Sequence, residues 1–280
     1  MSQRTLFLFI IVFCAALLAA ACNHPNPTQT LPDKAAATEA TDAPLITVKE
    51  VATTSAAPTS CAAGMKEVAG DYCANVEHLC LAGYPDINAP WATFPKGAVG
   101  VLYCEQYVVG HAVCKSTTRQ MHFCIDTYEY PNAVGVRPRV YVTWLEANNL
   151  CKAQNKRLCN DDEWTLACEG NERLPYPYGW KRDKAMCNIE RTHRSDIELT
   201  GARATCISPF GVYDMTGNVD EWARNVTNAR ATMVHEPYIS ALKGGHMLGK
   251  VRNRCRPATE AHGPGFASDV QGFRCCADTQ

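Results

Sequence analysis

The chain has 280 residues, with 27 Lys and Arg against 28 Asp and Glu and a formal net charge of −1. Without a dense basic block it carries no electrostatic footprint for a polyanion, so nucleic acid is not an expected partner. Sixteen cysteines are too many for a reducing compartment unless they hold metal.

Arg4 supplies a positive start, residues 6–18 form a short apolar run, and Ala19, Ala20 and Ala21 are the small residues a signal peptidase requires. The run is too short to favour a permanent span. Cys22 follows directly, and "LLAAAC" resembles the bacterial lipobox, whose cysteine thiol receives a diacylglyceryl group. The expectation is a lipoprotein signal peptide at residues 1–21 and attachment of acylated Cys22 to the lipid bilayer of a bacterial cell envelope. Ordinary secretion and a retained anchor are the alternatives. Asn23, in place of Asp, resembles an outer-membrane sorting signal. Residues 22–60 form a Pro/Thr/Ala tract without aromatic residues. Such a tract buries too little surface to offset chain entropy and is expected to be a disordered tether. Roughly 38 residues of this kind span on the order of 35 Å.

Setting aside Cys14 and Cys22 leaves an even set of cysteines, from Cys61 to Cys276. Zinc is the competing use, yet no CxxC pair occurs and no closely spaced His pair lies near two cysteines. Up to seven disulfides are expected, each adding roughly 2–4 kcal/mol by restricting the unfolded chain. Adjacent Cys275 and Cys276 are expected to bond to different partners, because a vicinal bridge is strained.

From Met121, "MHFCIDTYEYPN" puts Phe123 and Ile125 on one strand face and Tyr128 and Tyr130 on another, with a break near Asp126. "VTWLEANNLCKAQNKRL" places Trp144, Ala147, Leu150 and Cys151 at helical spacing. A second helix begins after "CNDDEW", where Asn160 and Glu163 have the form of a capping box and Asp161 and Asp162 suit the positive helix end. Its inner face carries Trp164, Ala167 and Cys168. Beyond Gly170 turn residues are frequent, as in "LPYPYGW", "CNIERTHRSDIELTG" and, at residues 211–222, "GVYDMTGNVDEW". "ALKGGHM" and "QGFRCC" read as late strands.

Four stretches, "VTWLEANNLCKAQNKRLCNDDEWTLACEG", "GVYDMTGNVDEWARN", "ALKGGH" and "GFRCC", resemble in order and approximate spacing the formylglycine-generating enzyme family, also called sulfatase-modifying factors. The resemblance covers residues 121–280. Residues 61–120, with five cysteines, lie outside it and are expected to be a Cys-rich elaboration packed on that domain. The resemblance implies an irregular, disulfide-rich α+β domain related to C-type lectin folds, with bound calcium. The implied ligands are Asp214, the carbonyls of Gly217 and Val219, and a closing Glu221, an oxygen set suited to that ion. The plainer alternative is a turn in which Asp214 and Asn218 cap backbone amides and Trp222 fills the core. Asn188 and Ile189 match the start of the family's second calcium site, whose acidic ligand here is Asp196 or Glu198.

Enzymes of the family oxidise a sulfatase cysteine to formylglycine, using oxygen and two cysteines that hold copper(I), an ion suited to soft thiolates. Here the matching segment, residues 244–259, has Gly249 at the first thiol position and Cys255 as its one cysteine. Copper is therefore not expected, and no catalytic residue is assigned. The resemblance also implies scaffold disulfides joining Cys151 to Cys275 and Cys168 to Cys255. The expectation is a lipid-anchored, non-oxidase protein that binds an envelope protein or a glycan, or scaffolds a complex. The alternative is an oxidoreductase acting on a sulfatase cysteine, or related oxidative chemistry.

Four lesser signals remain. His246, Met247 and Lys250 are candidate ligand contacts, set against simple packing. Tyr176, Tyr178 and Trp180 are suited either to stacking on a sugar or to a core. Asn225, Val226 and Thr227 fit a glycosylation sequon that a bacterial lipoprotein rarely uses. A Ser/His/Asp triad cannot be picked from linear order, because its members need not be adjacent.

Overall fold

Strand β1 (Met65–Cys73) pairs antiparallel with β4 (Thr118–Asp126) along its whole length, from Met65 opposite Asp126 to Cys73 opposite Thr118. These strands belong to a computed structural model that describes residues 60–83, 104–227 and 238–280. The signal segment, Cys22 and all but the last residue of the tether lie outside the described residues. The last four residues of β4 are all buried, so the simple alternation expected there gives way to burial on both faces. The reason is position: β4 is internal in a sheet ordered β1-β4-β10-β5. Strand β10 (Cys275–Asp278) separates β4 from the short β5 (Arg157–Leu158). After Asp126 the chain leaves the sheet, and Tyr128 and Tyr130 stack on Tyr213 and Phe273 instead of continuing the strand.

A second sheet has the order β8-β7-β6-β9. It comprises β6 (Asp220–Arg224), β7 (Ser240–Lys243), β8 (Ala258–Thr259) and β9 (Gln271–Phe273), with β6 parallel to β9 and antiparallel to β7. Strands β2 (Val76–Gly83) and β3 (Cys104–Cys114) form a separate ribbon with several register shifts.

Helix α1 (Trp144–Lys152) starts at a reciprocal cap. The Thr143 hydroxyl accepts from the Glu146 amide at 3.1 Å, and the Glu146 carboxylate accepts from the Thr143 amide at 2.8 Å. Helix α2 (Asp161–Glu169) is buried at every residue, because it packs against strands of both sheets, β1, β4, β6 and β7. Three of its acids are tolerated there because each finds an arginine: Arg157 for Glu163, Arg119 for Asp162 and Arg256 for Glu169.

One apolar cluster gathers Val68, Phe123, Ile125, Trp164, Leu166 and Met215; another gathers Trp144, Leu158, Trp222, Leu242 and Phe273. The three tryptophans are each anchored by the indole N–H, which donates from Trp144 to the Ala223 carbonyl, from Trp222 to the Val142 carbonyl and from Trp164 to the Glu221 carboxylate. Among the described residues seven disulfides cross-link the chain. They join Cys61 to Cys124, Cys73 to Cys114, Cys80 to Cys104, Cys151 to Cys275, Cys159 to Cys276, Cys168 to Cys255 and Cys187 to Cys206. Neighbours Cys275 and Cys276 thus reach different partners. The result is the irregular, disulfide-rich α+β class expected from the sequence.

Candidate functional site

The loop between Gly211 and β6 is shaped by close approach. Gly217 has φ +81°, and a Cβ added there would lie 2.2 Å from the Asn188 carbonyl oxygen. Only glycine fits that backbone conformation and that contact. Asp214 and Asn218 also adopt positive φ, 59° and 52°.

This geometry brings the two expected calcium segments together. The Asn218 amide donates to the Asn188 carbonyl at 2.9 Å, and the Asn188 side-chain amide donates to Asn218 Oδ1 at 3.0 Å. Asn218 Oδ1 also receives the Glu198 amide at 2.9 Å. Neither candidate acid points its carboxylate into this junction: Asp196 accepts from the His193 amide, and Glu198 pairs with Arg203 through both oxygens at 2.6 Å. Ile189 is fully buried against Cys187 and Cys206.

Among the first set, Asp214 Oδ2 accepts from the Gly201 amide at 2.7 Å. Val219 is buried, and its amide donates to Glu129 Oε1 at 3.2 Å. Glu221 is held by Arg274, with Nε at 2.6 Å and Nη2 at 2.7 Å, and by the Trp164 indole at 2.8 Å. Glu129, which sequence reasoning missed, completes the cluster and accepts from the Asn218 side chain at 2.7 Å. Burial, followed by the charges of Asp214 and Glu221, pushes its carboxyl well above the usual range. Burial likewise pushes Asp214 up to about 6.

Three buried carboxyl groups, Glu129, Asp214 and Glu221, therefore lie near one guanidinium, which hydrogen-bonds Glu221 alone among them. Oxygen atoms on Asp214 and the Gly217 and Val219 backbone fit a hard divalent cation, which would favour the charged carboxylates that burial disfavours. Glu221 fits as a closing ligand only by exchanging Arg274 for the ion. Among the described residues, no group of three or more His, Cys, Asp or Glu side chains is arranged as a metal cage.

The segment matching the family's thiol pair has a different build. A Cβ at Gly249 would lie 2.8 Å from Asn253 Oδ1 and 2.9 Å from the His246 carbonyl, so a side chain at this position has no room without a shift. Cys255 is fully buried and bonded to Cys168 at 2.07 Å. All the described cysteines are disulfide-bonded.

The other sequence candidates separate by environment. Met247 is core, packed with Ile197, Val219 and Val270. His246 is half-buried, its Nδ1 facing the Leu248 amide at 3.2 Å, and burial lowers its pKa. Lys250 is exposed. Tyr176 is fully buried, stacks on Tyr178 and donates its hydroxyl to the Cys104 carbonyl, while Trp180 packs on the same cluster. Of the two readings of these aromatics, core packing is the one Tyr176 takes, with Tyr178 and Trp180 packed against its cluster. In the sequon, the Asn225 side chain donates to the Tyr238 carbonyl at 2.9 Å, and the Thr227 hydroxyl donates to Asp161.

A second ionic group lies where α2 meets β7. Lys243 is 2% exposed; its ammonium donates to the Arg256 carbonyl at 2.9 Å and sits 5.3 Å from the Trp164 ring centroid. Arg256 pairs with the fully buried Glu169 at 2.6 Å. Burial nevertheless outweighs that pairing and raises Glu169 to about 7, and it lowers Lys243 to about 8. The sequence signal for Lys243 was a lone charge inside the apolar strand "ALKGG".

Collinear motifs, a helix buried between two sheets and the glycine-dependent loop together define a sulfatase-modifying-factor type of domain. Residues 92–279 match the model of the sulfatase-modifying factor enzyme 1-like domain, and the chain belongs to that family. It is 28% identical over 155 residues to inactive C-alpha-formylglycine-generating enzyme 2 of Bos taurus, covering 50% of this chain and 50% of that protein. It is 32% identical over 151 residues to serine/threonine-protein kinase pkn1 of Chlamydia caviae, covering 49% of this chain and 24% of that one. The chain thus spans half or less of the length of these relatives. The structure of CarF overlaps 77% of this chain and 98% of its own, with TM-score 0.48 and 17% identity.

Proposed function

We propose that the chain is a non-oxidase member of the family, a lipid-anchored envelope protein that binds a ligand or scaffolds a complex. The observation that carries this reading is the state of the cysteines. A copper(I) site of the family's kind needs two thiolates, whereas Cys255 is spent in a disulfide with Cys168 and Gly249 leaves no space for the other thiol. The similarity to a bovine protein named as an inactive enzyme points the same way.

Anchoring through acylated Cys22 rests on "LLAAAC" alone, and the outer membrane on Asn23. The partner is an envelope protein or a glycan, and the balanced charge argues against nucleic acid. Calcium in this reading is structural, held by Asp214, the Gly217 and Val219 carbonyls and a closing Glu221 that exchanges Arg274 for the ion, with a second site beginning at Asn188 and Ile189.

The test incubates the purified full chain with a cysteine-containing sulfatase peptide, oxygen and copper(I), followed by mass spectrometry of the peptide. No formylglycine is expected. Conversion of the cysteine would overturn the reading.

A further inference from the structure

Between the end of β1, the first turn of α2 and strands β7 and β8 lies a cavity of about 400 Å3. Its polar lining comes from Tyr72, Asn75, Asp161, Thr165, Lys243 and Arg256, and its apolar lining includes Ala74, Val76 and Ala258. No residue of the calcium cluster lines it, and from the altered thiol segment only Arg256 and Ala258, beyond Cys255, reach it.

Lys243 is the unusual group. An ammonium offers three donors, and here it meets one backbone carbonyl and an aromatic face instead of a carboxylate. Such a buried cation is costly, and the neighbouring charges of Asp161 and Glu169 offset that cost only in part. Asp161 lines the same cavity and is 3% exposed. Its Oδ1 accepts from the Val226 and Thr227 amides at 3.0 and 3.3 Å, while Oδ2 accepts only the Thr227 hydroxyl. A carboxylate has about four acceptor positions, so Oδ2 retains capacity. Close by, Arg256 Nε and Glu169 Oε2 are buried without a hydrogen-bond partner.

The formal charges decide what kind of guest suits this lining. Lys243 and Arg256 balance Asp161 and Glu169, so the group is neutral while its members remain strongly polar. A phosphate would add uncompensated negative charge, and a hydrocarbon would desolvate both signs without pairing either. A small molecule carrying both signs avoids each penalty.

Building on the ligand-binding reading above, we propose that this cavity binds a small zwitterion, a free α-amino acid, with Lys243 receiving its carboxylate and Asp161 its ammonium. Ala74, Val76 and Ala258 leave room for a small apolar side chain. A bound carboxylate also favours the charged form of Lys243, which burial otherwise disfavours.

The test is calorimetric titration of the full chain at neutral pH with L-alanine, L-valine and L-serine separately, and with acetate, methylammonium and phosphate as controls. At least one amino acid is expected to saturate with Kd below about 1 mM, and each control to bind at least about tenfold more weakly. Lys243→Met removes the charge at similar volume and is expected to weaken amino-acid binding about tenfold or more while the protein stays folded. Asp161→Asn tests the other end, with circular dichroism to verify that the Thr227 contact has not unfolded the segment. Saturation by none of the three amino acids overturns the inference, as does unchanged affinity in Lys243→Met or equally tight acetate or phosphate. Loss of amino-acid binding with no formylglycine formation leaves the non-oxidase reading standing; formylglycine formation strikes that reading instead.

Discussion

Arg274 grips Glu221 through two of its nitrogens, at 2.6 and 2.7 Å, with both side chains out of contact with solvent. The same guanidinium reaches the Tyr213 carbonyl at 2.8 Å, so it joins the end of the sheet strand to the loop at residues 211–222. Removing one member of a buried pair leaves the other charge uncompensated. Arg274→Met is expected to lose about 3–5 kcal/mol in urea unfolding. Arg274→Met with Glu221→Leu should recover part of that loss. A double variant no better than the single one would show that the pair's charge is not what matters.

Calcium addresses the same cluster. Chelator-stripped protein at pH 7.5 is expected to gain thermal stability on titration with calcium, reaching about 2.7 kcal/mol at a hundredfold excess over Kd. Asp214→Ala should abolish the gain. An identical melting curve with and without calcium counts against the ion.

Gly217→Ala joins two penalties, a positive φ and a Cβ 2.2 Å from the Asn188 oxygen. A loss exceeding about 1–3 kcal/mol is expected, together with faster amide exchange at Asn188 and Asn218. Unchanged stability would mean that the two turns separate freely.

The Cys168–Cys255 bridge spans 87 residues. Non-reducing peptide mapping should recover Cys168 with Cys255 and Cys151 with Cys275, with no free thiol from residue 61 onwards. Replacing Cys168 and Cys255 with serine is expected to lower stability by roughly 2–4 kcal/mol. A free Cys255 in the mapping would return the oxidase alternative to consideration.

The pH dependence follows from Glu169 and Lys243. The folded pKa of Glu169, about 7, lies above its ordinary value of 4.5. Its contribution is therefore fully present below about 4.5 and is lost as pH rises through about 7, a change on the order of 3 kcal/mol. For Lys243 the folded value of about 8 lies below 10.5, so its contribution is present above 10.5 and lost as pH falls through about 8. Glu169→Gln should flatten the acid-side slope of denaturant stability between pH 4.5 and 7, and Lys243→Met the alkaline-side slope. Parallel profiles in wild type and variants would assign the pH dependence to other groups.

Local signals were readable from the chain because the chemistry they need lies within a few residues. Glu163 caps α2 from three positions away, its carboxylate 2.8 Å from the Asn160 amide. The even cysteine set and the absence of zinc spacing pointed to disulfides, and the motif order pointed to the family. The cap on α1, Thr143 with Glu146, has the same three-residue spacing and is equally local.

Tertiary structure decided the rest. Glu129 and Arg274 are remote in sequence, and only the insertion of β10 beside β4 brings Arg274 to the carboxylates around Asn218. Tyr176 carries the same ring in either role, but burial against Cys104 and Tyr107 commits it to the core. Lys243 and Asp161 line one cavity because α2 packs on β7. Sequence specifies spacing, capping and the number of cysteines, since these depend on neighbours along the chain. Which charges end up buried together depends on packing between distant segments, where loss of water sets the strength of every pairing.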